Sequence, residues 1–254
     1  MQLAVHPDAR TIDDVIARLG DIVTYCRREN SRLGYFPALY RKVTIQVKED
    51  IAGGRFEDGA RMERLDVRFA NRYFAAFEQH RRGVAPTRSW AYSFARAESS
   101  DPLILQHLML GINAHINLDL GIAAVETAPA EQLPALRNDF ERINTILAAL
   151  IDDVQDEIAA LWPTMGVIDR IGGRLDEALC NFCLAKARIV AWTRAEQLAA
   201  CPEETHPAHI ARFDEEVCAL SRRICPDDGL WSPLMQRLSA AEDASPRAII
   251  DVLV

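Results

Sequence analysis

The segment from Pro102 to Glu126, PLILQHLMLGINAHINLDLGIAAVE, is apolar around most of its circumference when it is placed on a helix. A helix with this pattern belongs in the middle of a globular core rather than at its surface. The same segment carries two histidines, two asparagines, a glutamine and an aspartate. Because buried polar side chains need hydrogen-bond partners or a ligand, we expect this segment to form the central helix and to carry the functional site.

The sequence on either side of this segment predicts further helices. Thr11 followed by Asp14 has the spacing of a capping box at the start of a helix over 12–29, and Pro37 suits the first turn of the next helix. The alternation of apolar residues over 43–47 leaves a short strand open as an alternative there. Later helices are predicted at 57–82, 88–97, 129–161, 175–199, 206–223, 230–240 and 246–254.

The predicted fold class is therefore all-α. We expect a single domain over residues 1–254, folded as a compact bundle of about eight to ten helices around the central helix at 102–126. Asp101 is predicted as the N-cap of the central helix and Pro102 as its first residue.

Composition and charge exclude several classes of protein. Of the 254 residues, 49% are apolar, which is enough to bury a large core without disulfides or a structural metal. The net charge of −8 argues against a surface for nucleic acid or anionic membranes, both of which need clustered Lys and Arg. The six cysteines are typical of reduced thiols, and the N-terminus lacks the pattern of a signal peptide. These features predict a soluble, cytoplasmic protein that binds neither nucleic acid nor membranes.

Polar residues on the central helix fall into two groups if each residue turns the helix by roughly 100°. One group lies within about 120° of His107 and contains the two histidines and an aspartate, His107, His115 and Asp119. The other group lies on the opposite side and contains the three amides Gln106, Asn113 and Asn117. Only the first group has the chemistry of metal ligands, and the amides are better suited to holding a neighbouring helix.

A metal site is the preferred hypothesis for the first group. His115 and Asp119 are four residues apart, so their side chains can converge on one ion. His107 and Asp66 are the candidates to complete the ligand set, since Asp66 lies within an apolar stripe of its own helix. Imidazole and carboxylate ligands suit zinc, iron or manganese, which would polarise a carbonyl or activate water.

Two alternatives remain open for the same residues. Without a metal, His107 or His115 would be the general base, oriented by Asp66. The other alternative is that all these groups are satisfied polar contacts of the core, in a protein that binds a ligand or a partner helix without catalysis.

The acidic run DDVQDE at 152–157 has the spacing of the DDxxD cluster with which class I terpene cyclases hold magnesium against a diphosphate. The second motif that such cyclases carry on a later helix is missing, and an acidic run near a helix end is typical of a solvated face. A magnesium-dependent prenyl-diphosphate cyclase is kept as a further alternative.

Two features of the predicted helix at 175–199 have both a structural and a functional interpretation. Cys180 and Cys183 have C-x-x-C spacing, but they fall inside a helix, which favours small buried residues over a redox pair. Arg188 and Trp192 are four residues apart and predict a cation–π contact. If this helix faces a pocket, Arg188 would instead bind a substrate carboxylate.

Five stretches together resemble an uncharacterised, mainly bacterial family catalogued as a domain of unknown function. They are LGYFPALYRKVT at 33–44, GRFEDGARMERLDVRFANRYF at 54–74, LQHLMLGINAHINLDLGIA at 105–123, DFERINTIL at 139–147 and GGRLDEALCNF at 172–182. The resemblance spans almost the whole chain and implies one family-length domain. It places functional weight on Asp66, Asn71, Tyr73, His107, Asn113, His115, Asn117 and Asp119, and it implies no reaction.

The preferred function from the sequence is a small-molecule enzyme that carries out metal-assisted hydrolysis or lyase chemistry. The predicted catalytic residues are His107, His115 and Asp66. The predicted substrate contacts are Tyr73, Asn71, Asn113, Asn117 and Arg188.

Overall fold

A computed structural model describes residues 8–99, 102–143, 146, 184–227 and 244–254. The regular structure in these ranges is entirely helical, which confirms the all-α prediction. The helices are α1 (Ile12–Arg28), α2 (Tyr35–Ala52), α3 (Gly59–Arg81), α4 (Arg88–Ala97), α5 (Ile104–Thr127), α6 (133–143), α7 (Leu184–Ala199), α8 (His206–Ile224) and α9 (Pro246–Leu253).

The predicted start of α1 is confirmed by its capping geometry. The hydroxyl of Thr11 accepts a hydrogen bond from the backbone N–H of Asp14 at 3.1 Å, and the Asp14 carboxylate accepts one from the N–H of Thr11 at 3.0 Å. This reciprocal pair satisfies two N–H groups that the first turn of a helix leaves unpaired. Residues 43–47 lie inside α2, so the strand alternative for that segment is wrong.

The central helix, α5, is buried along nearly its whole length. It begins at Ile104, so Pro102 precedes the helix instead of being its first residue, and Leu103 is the N-cap. A window of α5 with mean hydropathy 1.4 is long and apolar enough to cross a membrane by length and composition, and 94% of that window is buried inside the fold. Helices α2, α3, α4, α7 and α8 all pack against α5.

The middle of α5, Asn113–Leu120, is a π-helix, and all eight of its residues are buried. A π-helix has i→i+5 hydrogen bonds and is wider than an α-helix, so the projection of 100° per residue does not hold over this segment. Segments of this kind are frequent at functional sites. Arg194 on α7 stabilises this segment, because its guanidinium donates a hydrogen bond to the backbone carbonyl of Asn117.

Two glycines of α5 allow neighbouring elements to approach closely. A Cβ atom at Gly111 would lie 2.6 Å from the ring of Phe36 on α2, and one at Gly121 would lie 2.5 Å from the backbone carbonyl oxygen of Ala191 on α7. Both distances are shorter than any normal carbon contact. Glycine at these positions therefore sets how deeply α2 and α7 pack onto the central helix.

Two of the three predicted amide side chains of α5, those of Gln106 and Asn113, bond directly to α8. Gln106 Nε2 donates to the carbonyl of Ile224 at 2.8 Å, and Asn113 Nδ2 donates to the carbonyl of Val217 at 3.0 Å. Asn117 Nδ2 then donates to Asn113 Oδ1 at 2.8 Å. Buried amides that are paired in this way fix the register of two helices.

Two buried carboxylates cap helices that are distant in sequence. Asp214 on α8 accepts hydrogen bonds from the first N–H groups of α4, at Arg88 and Ser89. Asp139 on α6 accepts from the N–H groups of Glu57 and Asp58, just before α3. A carboxylate at a helix N-terminus satisfies unpaired donors and complements the helix dipole.

Candidate functional site

Asp119, in the π-helical segment of α5, is a buried carboxylate with three hydrogen-bond donors. Its Oδ1 accepts from Arg72 Nε at 3.0 Å, and its Oδ2 accepts from Trp90 Nε1 at 2.8 Å. The side chain of His115 is the third donor. Burial by itself raises the pKa of Asp119, but the hydrogen bonds and charges of His115, Arg72 and Trp90 bring it below the ordinary value. Asp119 is therefore ionised at neutral pH.

His115 is oriented by this carboxylate. Its Nδ1 lies 3.4 Å from Asp119 Oδ2, and the imidazole is only 3% exposed. Burial lowers the pKa of His115, and the opposing effect of Asp119 does not restore it, so the ring is neutral at pH 7. An ionised carboxylate only accepts hydrogen bonds, which assigns the single ring proton to Nδ1. The lone pair of Nε2 has no hydrogen-bond partner within the part of the chain that the structure describes.

Aromatic rings from three helices enclose His115. The imidazole stacks on Phe69 of α3 with ring centroids 3.5 Å apart, and the rings of Tyr40 and Phe36 on α2 lie 4.6 and 5.5 Å away. The indole of Trp90 on α4 is 6.0 Å away. We call this group of rings around His115 the aromatic cage. It keeps the imidazole dry, which strengthens any electrostatic interaction at Nε2.

Three further polar atoms in or beside the cage are buried without a hydrogen-bond partner among the described residues: Tyr40 Oη, Tyr73 Oη and Asp66 Oδ2. The rings of both tyrosines lie within 6.2 Å of His115, and the pKa of each phenol is raised, chiefly by burial. Burial raises the pKa of Asp66 to about 7. Buried polar atoms of native proteins are nearly always paired, so several unpaired ones in one place indicate a site where a ligand or water supplies the partner.

A pocket of about 380 Å³ opens beside Asp119. Its polar lining comes mostly from one side of α3 and from the end of α5, with Arg68, Asn71, Arg72, Gln79, Asp119 and Glu126. Trp90 forms part of the wall. Asp119 Oδ1 accepts only the bond from Arg72, and a carboxylate oxygen has room for two, so it can accept one more from a molecule in this pocket. We call this space the Asp119 pocket; its volume suits a small metabolite.

His107 lies on the other side of Trp90, two turns before His115. Both His107 and Trp90 line a separate cavity of about 20 Å³, and Tyr35 packs edge-on against the His107 ring at 5.7 Å. Burial, aided by the charges of Arg32 and Arg96, lowers the pKa of His107 to about 3. His107 is therefore neutral and is separated from the His115–Asp119 pair.

The four residues predicted as metal ligands do not converge. Within the described ranges, no three His, Cys, Asp or Glu side chains are grouped so that they could hold one ion. His115 and Asp119 are adjacent, but a metal between them would compete with the N–H donors of Arg72 and Trp90. His107 lines a different cavity, and it is Asp119 rather than Asp66 that orients His115.

Of the five residues predicted to contact a substrate, two lie at the candidate site and three lie elsewhere in the fold. Tyr73 adjoins the aromatic cage, and Asn71 lines the Asp119 pocket, although both ends of its amide bond to the backbone of Ala9 at 2.9 Å. Asn113 and Asn117 bond within the contact between α5 and α8, away from both spaces. The buried guanidinium of Arg188 lies over Phe140 of α6 and donates to its carbonyl, so Arg188 joins two helices, and it lines neither the Asp119 pocket nor the cavity beside His107.

Two motifs singled out in the sequence lie outside the described residues. These are the acidic run at 152–157 and the C-x-x-C pair at 180–183. The cyclase alternative depends on the first of them.

Sequence reasoning missed two essential members of the site, Arg72 and Trp90. Arg72 is one of many arginines on a charged helix, and Trp90 is part of a short aromatic segment. The available signal was the buried Asp119 itself, because an ionised carboxylate in a core requires cationic or N–H partners.

Comparison with known proteins identifies the family of this chain and nothing closer. No curated protein and no solved structure shows significant similarity to it. Residues 12–226 match the family of unknown function DUF5995, a range that includes the His115–Asp119 pair, the aromatic cage and most of the Asp119 pocket. The chain belongs to this family, DUF5995.

Proposed function

We propose that the protein is an enzyme that acts on a small polar molecule by proton transfer, with His115 as the general base. The proposal rests on the protonation and hydrogen bonding of the His115 imidazole. It is neutral, its Nδ1 is held by the ionised Asp119, and its Nε2 is a buried lone pair without a partner. A carboxylate that orients a histidine in this way prepares it to take a proton at Nε2.

The surroundings supply the other parts of such a reaction. The imidazolium that forms on proton uptake is stabilised by the negative charge of Asp119, 3.4 Å away. The hydroxyl of Tyr40, which has no partner among the described residues, can donate a hydrogen bond to negative charge that develops on the substrate. These roles fit lyase chemistry and hydrolysis by water that His115 deprotonates.

The Asp119 pocket is the proposed entrance for the substrate. Trp90 lines this pocket and its ring lies 6.0 Å from His115, and Asp119, which also lines the pocket, contacts His115, so both side chains connect the pocket with the base. Arg68 is exposed at the pocket and makes no ion pair within the described part of the chain, which suits a substrate with a carboxylate or phosphate.

A metal-assisted form of the reaction is a separate proposal. It requires donors beyond His115 and Asp119, and elemental analysis of protein purified without a histidine tag tests it. Zinc, iron or manganese in stoichiometric amount, lost in His115→Ala, would support it.

A second candidate function is non-catalytic binding of a small molecule, which the size and polar lining of the Asp119 pocket favour. The same residues serve both functions, so only a test of chemistry separates them.

Incubation of the purified protein with an extract of small polar metabolites, followed by mass spectrometry, tests the catalytic proposal. We expect one or a few compounds to be consumed by the wild type and by His80→Gln, a partly exposed histidine that pairs with Glu98, but not by His115→Gln. If the wild type consumes nothing, or if His115→Gln is equally active, the catalytic proposal is wrong. Retention of a compound without change would favour the binding function.

A further inference from the structure

The cavity beside His107 is distinct from the Asp119 pocket and from the proposed base. Its volume is about 20 Å³, enough for one or two groups the size of a water molecule. It lies between the turn before α2, helix α4 and the first turns of α5. Its polar lining consists of the four side chains Arg32, Tyr73, Ser93 and His107, and its walls are Phe36, Trp90 and Phe94.

Two of the side chains that line this cavity have buried polar atoms without a hydrogen-bond partner among the described residues. Tyr73, only 1% exposed, has no hydrogen bond at its hydroxyl. His107 is 6% exposed, and neither ring nitrogen makes a hydrogen bond of normal geometry, although the backbone of Pro102 is close enough to influence the ring. Buried polar groups destabilise the folded state when they stay unpaired, so the cavity favours an occupant that bonds to them.

The described residues that line the cavity carry charge of one sign. None of them is acidic, and Arg32, which is half-buried, contributes a positive charge. The buried Arg96 is a second cation nearby, since its charge and that of Arg32 both reinforce burial in keeping His107 unprotonated. Hydroxyl and guanidinium groups offer donors to a negative ligand, and a cation in the same place would be repelled.

We propose that this cavity is a binding site for a small monovalent anion, held by Arg32, Tyr73 and Ser93, with His107 at its inner end. The chemistry fits a halide ion or the carboxylate of a one-carbon acid, and the volume excludes larger organic acids. The site does not depend on the proposed function of His115.

Thermal unfolding at constant ionic strength tests the proposal, with chloride as the probe and gluconate as an anion too large for the cavity. An anion that binds only the folded state raises the unfolding midpoint progressively with its concentration. We expect chloride to raise the midpoint of the wild type relative to gluconate, and the apparent affinity to fall about tenfold or more in Arg32→Gln and Tyr73→Phe. Formate in place of chloride shows whether a carboxylate is also accepted.

Tyr40→Phe is the matched control for Tyr73→Phe. Both substitutions remove one buried, unpaired hydroxyl beside the same aromatic rings, but Tyr40 does not line the cavity. Tyr40→Phe should keep the chloride effect. Because Tyr73→Phe removes a single oxygen atom and Arg32 lies in a half-buried turn, both variants are expected to fold. A wild type that responds equally to chloride and gluconate, or variants that keep its chloride affinity, would overturn the proposal.

Discussion

Phe36 lies against Gly111 at a point midway between His107 and His115 on the central helix. The ring of Phe36 is 5.5 Å from that of His115, and on its other side it lines the cavity that also contains His107. A Cβ atom at position 111 would lie 2.6 Å from Cγ and Cδ2 of this ring. The absence of a side chain at Gly111 is therefore what lets one aromatic ring separate the two histidines.

Gly111→Ala should destabilise the protein by about 1–3 kcal/mol, because Phe36 must move within a packed core. Gly20→Ala is the matched control. Its added Cβ would meet only the end of the flexible Arg41 side chain at 3.4 Å, and alanine favours the helix by about 1 kcal/mol. Urea unfolding of both variants measures the difference. Equal stabilities for the two variants would contradict the close packing of Phe36 on Gly111.

Asp119→Asn should reduce stability by about 1–3 kcal/mol, because the charged hydrogen bond from Arg72 is lost while Arg72 remains partly exposed and close to Glu126. The substitution should also change His115, since an amide no longer requires the ring proton to be on Nδ1. Nitrogen NMR of the imidazole would detect the altered tautomer.

Asp139→Asn is the control for that experiment. Asp139 is another fully buried carboxylate, bonded to Arg61 and two backbone N–H groups, and its loss should also be destabilising. It has no contact with His115, so the tautomer should stay as in the wild type. A His115 signal that is unchanged in Asp119→Asn would remove the basis for an oriented base.

Asp66 and His107 should give the free energy of unfolding opposite dependences on pH. The folded-state pKa of Asp66, about 7, is above its unfolded value near 3.8, so the folded state holds the extra proton and stability decreases as pH rises between these values. The folded-state pKa of His107, about 3, is below its unfolded value of 6.5, so stability increases with pH over that range. The two effects offset each other in the wild type.

When either Asp66 or His107 is substituted, the pH dependence of stability caused by the remaining residue should become visible. Between pH 5 and pH 7, Asp66→Asn should gain roughly 2 kcal/mol relative to the wild type, because the cost of ionising the buried acid is gone. His107→Gln should lose stability relative to the wild type over most of the same range. Urea unfolding at several pH values checks both, and parallel curves for all three proteins would show that neither group is perturbed as described.

Local signals in the sequence were sufficient for most helix boundaries. The capping box at Thr11 and the segment 88–97 are examples, because helix starts and apolar spacing depend on neighbouring residues. The position of Gln106 and Asn113 on the helix also predicted their bonds to α8, whereas Asn117, which like Asn113 lies in the π-helical segment, bonds to Asn113.

Contacts between distant residues could not be predicted in this way. Arg72 and Trp90, the partners of Asp119, are 47 and 29 positions away from it, and no spacing rule connects them. The π-helical segment was missed for the same reason. Its residues have the apolar pattern of an ordinary buried helix, and the groups that support it come from other helices.

Arg194 is the clearest of these supports, and its removal should destabilise the π-helical segment specifically. It donates to the carbonyl of Asn117, 77 positions earlier, and it pairs with Glu216 at 2.9 Å. Arg212 is a suitable control for Arg194. It also forms an ion pair with Glu216, at 3.9 Å, and both guanidinium groups lie over the ring of Phe213. Of these two arginines, Arg194 alone bonds to the central helix.

Arg194→Gln should therefore cost about 1–3 kcal/mol, since a buried carbonyl loses its partner, whereas Arg212→Gln should change stability by less than about 1 kcal/mol, as expected for an exposed pair. Amide hydrogen exchange should also distinguish the two variants. Amides of 113–120 should exchange faster in Arg194→Gln, because the wider helix loses its external hydrogen bond, and should be unaffected in Arg212→Gln. Equal exchange in both variants would mean that packing alone maintains the π-helix that positions His115 and Asp119.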